Sequence, residues 1–304
     1  MMKERSGKLI KGVGGLYTVR FADGETVSCK AKGAFRHESL KPVIGDDVTV
    51  ISDGGNVISA IGERKNLLIR PPISNVGVIF ITFAAAEPEP VLLSIDKLTC
   101  IAVHCGIRPV ITVTKADIAP ERAAELAAVY EKAGFVTFVS GKDGSARERI
   151  REYLRTSCSG MISCFAGASG VGKSTLMTSL FPELDLKTGE ISAKIARGKH
   201  TTRAVELYSL SDLSGGGDGY IADTPGFSLL DFVRFDFFDK EELPDTFPEF
   251  ERFIGKCRYT KCTHLCEDGC AVCQAVRDGI IPVSRHDSYI SLYGDLKNKH
   301  KWDK

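Results

Sequence analysis

Gly167-Ala168-Ser169-Gly170-Val171-Gly172-Lys173-Ser174-Thr175 follows the apolar run Met161 to Ala166 and leads into the helix-forming stretch Thr175 to Leu180. Strand, glycine-rich turn and helix in that order make a phosphate-binding loop. The glycines let backbone N–H groups turn inward around phosphates. Lys173 reaches the β and γ phosphates, and the Ser174 hydroxyl is placed to ligate magnesium.

Outward from this loop the pattern alternates. Upstream, Val76 to Phe83 is a nearly continuous apolar run, as expected of a strand buried on both faces. Val91 to Cys105 then reads as a helix and Pro109 to Thr114 as a strand. Glu121 to Ala133 is an amphipathic helix with Ala124, Leu126, Ala127 and Tyr130 among its less polar positions. Phe135 to Val139 is a strand and Ala146 to Leu154 a helix; downstream, Glu206 to Leu210 and Tyr220 to Ala222 are further strands. This alternation predicts a mostly parallel sheet covered by helices.

Three more stretches fit around a bound nucleotide. Asp223-Thr224-Pro225-Gly226 ends a short strand about fifty residues after the phosphate loop. There Asp223 can hold magnesium and Gly226 can offer its N–H to the γ-phosphate. Gly198-Lys199-His200-Thr201-Thr202-Arg203 lies between them as a switch loop, with Thr202 the expected magnesium ligand and Thr201 the alternative. Thr114-Lys115-Ala116-Asp117 follows a buried strand about fifty residues before the loop. Asp117 can accept two hydrogens from a guanine edge, and Lys115 can lay its stem along the ring. Thr114 stands where such motifs usually have Asn, a departure expected to weaken only a supporting hydrogen bond. Ser140-Gly141-Lys142, after the next strand, fits the companion loop whose backbone contacts the guanine oxygen. In ordinary small GTPases the phosphate loop comes first and the guanine contact near the end. Here the order is inverted, which predicts a circularly permuted GTPase.

The flanks differ from this middle. Residues 1–66 read as β, with strands Leu16 to Phe21, Thr26 to Ala31, Val48 to Ile51 and Asn56 to Ile61. Asp23-Gly24 and Asp53-Gly54-Gly55 supply turns, so a small OB-type β-barrel is expected. Pro71-Pro72 is expected to interrupt any regular element and mark a junction. Past residue 231 an acidic, Phe-rich segment leads to a Cys/His cluster and to Tyr289 to Lys299, a polar helical stretch.

The 304 residues carry a net charge of only +1, yet residues 1–45 hold nine Lys/Arg against four Asp/Glu, a charge suited to a phosphate backbone and also to a plain solvated surface. No apolar run is long enough to cross a bilayer and no signal peptide is evident, so a cytoplasmic protein is expected. Ten cysteines in such a chain argue against a disulfide framework. Cys29, Cys100, Cys105, Cys158 and Cys164 are scattered and expected to be structural thiols. Cys257, Cys262, His264, Cys266, Cys270 and Cys273 crowd together as a metal-site candidate. Short spacing alone favours Cys270-x-x-Cys273 as one ligand pair.

The permuted motif order, the Gly198 to Thr202 loop, the barrel and the Cys/His cluster together resemble the ribosome small-subunit-dependent GTPases, the RsgA family, over essentially the whole chain. The resemblance implies one structural zinc on Cys257, Cys262, His264 and Cys270, with Cys266 and Cys273 as extras. It implies GTP hydrolysis to GDP and phosphate, with magnesium held by Ser174, Thr202 and Asp223. It also implies stimulation by the 30S subunit during late maturation, with 16S rRNA as the binding surface. Three parts are expected: 1–68 an RNA-binding OB-type barrel, 69–230 a permuted α/β GTPase domain, and 231–304 a zinc-binding, mainly helical domain. A monomer without membrane contact is expected. Phe227 occupies the position where many GTPases use Gln to orient water, so His200 is the candidate for that task, beside Lys173 and Thr202. Lys30, Lys32, Arg36 and Lys41 are candidate RNA contacts. Two other functions remain open on the residues alone: an ATP-using phosphotransferase, and an RNA-binding scaffold with structural nucleotide.

Overall fold

Period-two burial organises the amino-terminal strands. The structure is a computed structural model that describes residues 3–36, 41–69, 72–144, 146–184, 205–223 and 239–297. Strands β1 (Lys3–Val13), β2 (Leu16–Phe21), β3 (Thr26–Ala31), β4 (Asp47–Ser52) and β5 (Asn56–Ile61) point Leu9, Val19, Phe21, Cys29, Val48, Val50 and Ile58 into one core. β1 pairs antiparallel with both β2 and β4, β3 pairs parallel with β5, and β4 pairs antiparallel with β5. That order closes the sheet on itself as an OB-type barrel. One strand serves two neighbours because β1 is long and carries a register shift between Leu9 and Lys11. Gly7 is required there, since a Cβ would lie 2.6 Å from Val19 Cγ1 and 2.7 Å from Arg20 O.

The short strands β6 (Leu67–Ile69) and β7 (Pro72–Ser74) pair antiparallel. Pro72 thus opens a strand where an interruption was expected. At the first residue of a two-stranded sheet its missing N–H is not needed.

The chain then forms β8 (Val76–Ala84), α1 (Leu92–His104), β9 (Arg108–Thr114), α2 (Pro120–Lys132), β10 (Val136–Val139), α3 (Arg147–Ser157), β11 (Ile162–Ala166), α4 (Lys173–Leu180), β12 (Glu206–Ser209) and β13 (Tyr220–Asp223). The 3₁₀ turns Leu243–Thr246 and Pro248–Phe250 precede α5 (Ala271–Arg277) and α6 (Val283–Lys297). The α2 face is Ala123, Leu126, Ala127 and Tyr130. Ala123, not Ala124, completes the stripe because positions three, four and seven residues apart share a helix face. Helix α6 starts at Val283, before the expected Tyr289. Arg285 and His286 make that first turn read as a loop, yet both are buried.

Contacts divide the chain into two units, residues 1–79, 148–165 and 174–227, and residues 80–147, 166–173 and 228–304. In the first, the strand order is β11-β13-β12-β1-β2-β3-β5-β4. β11 and β13 run parallel, and β1 of the barrel pairs antiparallel with β12 at Lys11 and Glu206. Lys11 Nζ also lies 2.8 Å from Glu206 Oε2. In the second, the order is β10-β9-β8, with β10 parallel to β9. Ile79, Phe80, Ile81, Val110, Ile111 and Val113 are buried, as strands covered on both faces require.

Of the scattered cysteines, Cys29, Cys100, Cys158 and Cys164 are buried and Cys105 is half-buried. Burial pushes the Cys100 and Cys164 thiols up to about 12, which keeps them protonated and unreactive at neutral pH. Among the described residues no helix is long and apolar enough to cross a membrane.

Candidate nucleotide and metal sites

The phosphate loop joins β11 to α4. Gly167 is required for contact: a Cβ there would sit 1.9 Å from the carbonyl oxygen of Thr82 on β8. Gly170 and Gly172 adopt φ of 77° and 92°, which turns successive N–H groups to one side. Lys173 Nζ donates to the carbonyls of Gly167 at 2.7 Å and Ala168 at 2.6 Å, so the ammonium sits across the loop. Burial lowers its pKa from the ordinary lysine value. Ser174 and Thr175 follow as the next residues of α4, both exposed.

The guanine candidates gather at the ends of β9 and β10. The Thr114 hydroxyl donates to the Val171 carbonyl of the phosphate loop and lies 3.1 Å from the Phe83 carbonyl. This residue therefore fastens the end of β9 to both β8 and the phosphate loop. Lys115 takes φ 57°, and its Nζ donates to the Glu87 carbonyl. Ala116 N donates to the Ser140 carbonyl at 3.2 Å, and Ser140 N donates to the Val113 carbonyl at 2.8 Å. Asp117 Oδ1 accepts from Lys142 N at 3.2 Å, and its Oδ2 lies 3.7 Å from Lys142 Nζ. A Cβ on Gly141 would lie 3.3 Å from Asp117 N, so the two loops touch through backbone.

The other expected residues are less complete. Asp223 closes β13, while its side chain lies outside the described residues. Lys199, His200, Thr201, Thr202, Gly226 and Phe227 lie wholly outside them.

In the carboxy-terminal part, Cys257, Cys262, His264 and Cys270 bring one ligand atom each within 4.8 Å of one another. Cys257 Sγ and Cys270 Sγ are 3.9 Å apart, and each is 3.5 Å from His264 Nδ1. Tetrahedral bonds of ordinary length put two sulfurs about 3.8 Å apart and sulfur and nitrogen about 3.6 Å apart. The donor set therefore fits one metal ion. Ala271 N donates to Cys257 Sγ at 3.3 Å and Cys273 N to Cys270 Sγ at 3.4 Å, hydrogen bonds that favour thiolate. Burial lowers the His264 pKa, which favours the neutral imidazole that binds metal. Cys266 is exposed, and Cys273 points its Sγ at the His264 carbonyl. Cys270 is one of the four, and its close-spaced neighbour Cys273 is not.

Residues 61–233 match the RsgA GTPase family, and residues 6–57 match the RsgA N-terminal domain. The chain belongs to the RsgA GTPase family.

The RsgA relatives span nearly its whole length. The small ribosomal subunit biogenesis GTPase RsgA of Alkaliphilus metalliredigens (strain QYMF) is 41% identical over 302 residues, covering 97% of this chain and 99% of that protein. The protein of the same name from Geobacillus sp. (strain WCH70) is 39% identical over 300 residues, covering 96% and 98%. The crystal structure of YjeQ from Thermotoga maritima matches with a TM-score of 0.80 at 29% identity, covering 98% of this chain and 100% of that one. YloQ, described as a circularly permuted GTPase, matches with a TM-score of 0.78 at 28% identity, covering 99% and 98%. As an RsgA GTPase the protein is a GTP-hydrolysing enzyme with the permuted order that its motifs display.

Several residues around these sites carry no motif signal. Phe83 and Glu87 accept from Thr114 and Lys115 through backbone carbonyls, and the Thr82 carbonyl packs against Gly167, contacts that any side chain at these positions would allow. Glu267 accepts from Thr263 N at 2.7 Å, Leu265 N at 3.0 Å, Cys266 N at 3.2 Å and the Thr263 hydroxyl, wrapping the ligand loop. His286 and Tyr289 reach the same loop from α6.

Proposed function

We propose that the protein binds the small ribosomal subunit through 16S rRNA and hydrolyses GTP during that subunit's late maturation, with turnover accelerated by the subunit. Relatives named small ribosomal subunit biogenesis GTPase RsgA, similar over nearly their full length, support the partner. The observation that carries the nucleotide chemistry is the Thr114 bond to Val171, which ties the end of β9, three residues before Asp117, to the phosphate loop. This arrangement favours guanine over adenine, because Asp117 can accept from the guanine N1–H and its amino group. Lys115 lies along the base, and the backbone of Ser140, Gly141 and Lys142 faces the base oxygen.

Lys173 and the N–H groups of Gly167 to Thr175 bind the phosphates. Magnesium, held by Ser174, Asp223 and Thr202 with Thr201 as the alternative, would neutralise charge on the β and γ phosphates. Phe227 has no group that can orient water. His200 takes that task, its imidazole accepting a hydrogen bond from the attacking water. Basal turnover is slow without the subunit because Phe227 supplies no group that orients the attacking water.

The Cys257, Cys262, His264 and Cys270 set holds zinc, since three thiolates and one imidazole in a closed tetrahedron select that ion. Its role is structural. The barrel, with Lys30, Lys32, Arg36 and Lys41, and the carboxy-terminal module contact RNA on either flank of the nucleotide domain in sequence. Residues 1–68, 69–230 and 231–304 are the working divisions, and the protein acts in the cytoplasm as a monomer.

Co-sedimentation with purified small subunits in GTP and in GDP tests the partner. Binding that differs between the two nucleotides is expected. Absence of binding in both contradicts the proposal.

A further inference from the structure

His264 is the one residue of the metal cluster in the left-handed region, with φ 60°, a conformation uncommon for residues other than glycine, although Asn, Asp and His enter it more readily than most. Something must hold it there. Its carbonyl accepts from His286 Nε2–H at 2.7 Å and from Cys273 Sγ at 3.6 Å. The preceding carbonyl, of Thr263, accepts from the Tyr289 hydroxyl at 2.6 Å. His286 is buried, and its ring stacks on Tyr289 with 6.1 Å between centroids and 11° between planes. Both rings also rest on Phe250. The helix that presents them is anchored beside them by Arg285, ion-paired with Asp96 at 2.6 Å and with Glu249 at 2.7 Å.

We propose that His286, with Tyr289 as its companion, is the positioning residue of the metal site. Its N–H fixes the carbonyl of His264, and so turns the imidazole Nδ1 of that residue toward Cys257 and Cys270. The pair's hydrogen bonds go to backbone carbonyls of the ligand loop, those of His264 and Thr263, so it acts through the peptide backbone. An outer group that orients a first ligand typically governs metal affinity by about 10–100-fold. The inference rests on the metal reading of the four-residue cluster.

The test loads the full-length protein and three variants with zinc, measures zinc per chain, and follows its release to a chromophoric chelator. The wild type retains one zinc. His286→Phe keeps a buried ring but loses the N–H, and releases zinc about 10–100-fold faster. His286→Gln restores an N–H donor and recovers most of the retention. Tyr289→Phe removes one hydroxyl and no ring, and also releases zinc faster. Guanine-nucleotide affinity is unchanged in all three. Wild-type release from His286→Phe overturns the inference, as does equal loss in the Phe and Gln variants. Should His286→Phe fail to fold, wild-type release from Tyr289→Phe overturns it. A wild type that takes up no zinc removes the metal reading itself, a separate and distinguishable failure.

Discussion

Arg285 Nη1 lies 2.6 Å from Asp96 Oδ1, joining α6 to α1 through two side chains of which 0% and 1% is exposed. Glu249 completes the set, 2.7 Å from Arg285 Nε. The Tyr130 hydroxyl on α2 donates to Asp96 Oδ1 at 3.0 Å, and the guanidinium lies 4.6 Å from the Phe247 ring centre. Burial by itself lowers the guanidinium's pKa, but the two carboxylates outweigh it and hold that pKa well above the ordinary value. Helix α6 is thus tied to α1 and α2, which flank β9 in sequence.

A buried pair of this kind is costly to break from one side. Arg285→Met leaves two carboxylates buried without a countercharge and lowers stability by about 3–5 kcal/mol. Adding Asp96→Asn and Glu249→Gln to that variant recovers a large part of the loss. Denaturant unfolding measures both; an Arg285→Met protein as stable as the wild type contradicts the arrangement.

Thr114 has one hydroxyl proton for two backbone carbonyls, Val171 and Phe83. Thr114→Ala leaves the buried carbonyls without that donor, a loss of about 1–3 kcal/mol. GDP affinity is expected to fall by up to about 5- to 150-fold, as RT converts that energy. Thr114→Asn offers two N–H donors and is expected to bind GDP at least as tightly as the wild type. Titration with a fluorescent GDP analogue decides, and unchanged affinity in Thr114→Ala contradicts the role.

Asp117→Asn replaces an acceptor of two hydrogens with a group that can donate. The variant is expected to exchange preference from guanine to xanthine nucleotides. Competition between GTP and XTP reads the change. Retained guanine preference contradicts the base-recognition role.

Glu267 gives a pH signature. Burial raises its pKa, but hydrogen bonds from Thr263 and Cys266 together outweigh that and lower it from 4.5 to about 2. A depressed carboxylate stabilises the fold fully above its unfolded value, near 4.5, and the contribution is lost as pH falls through about 2. Metal-free Glu267→Gln is therefore expected to be less stable than the metal-free wild type at pH 7, with a difference that shrinks as pH falls from about 4.5 toward 2. Paired unfolding curves across that range measure it, and a constant difference contradicts the account.

What could be read from the chain alone depended on how local its cause is. The phosphate loop, the β9 motif and the short barrel strands are written in adjacent residues, because glycine placement and period-two burial act over a few positions. β1 was not legible as one strand: Lys8, Lys11 and Arg5 interrupt its pattern, and Arg5 is half-buried only because it lies 3.7 Å from the Phe21 ring and pairs with Asp23. The first turn of α6 was missed for the same reason. Arg285 looks like a surface residue until Asp96, far away in sequence, supplies its charge. The metal ligands were selected among six crowded candidates by family resemblance, whereas His286 and Tyr289 had no spacing to betray them.

The proposed function makes GTP turnover by this protein dependent on the small ribosomal subunit. Steady-state GTP hydrolysis by the full-length protein, with and without purified small subunits, tests it most directly. Slow basal turnover, a large acceleration by subunits, and loss of most of that acceleration in His200→Ala at near-normal GTP affinity are expected. Equal turnover with and without subunits would contradict it.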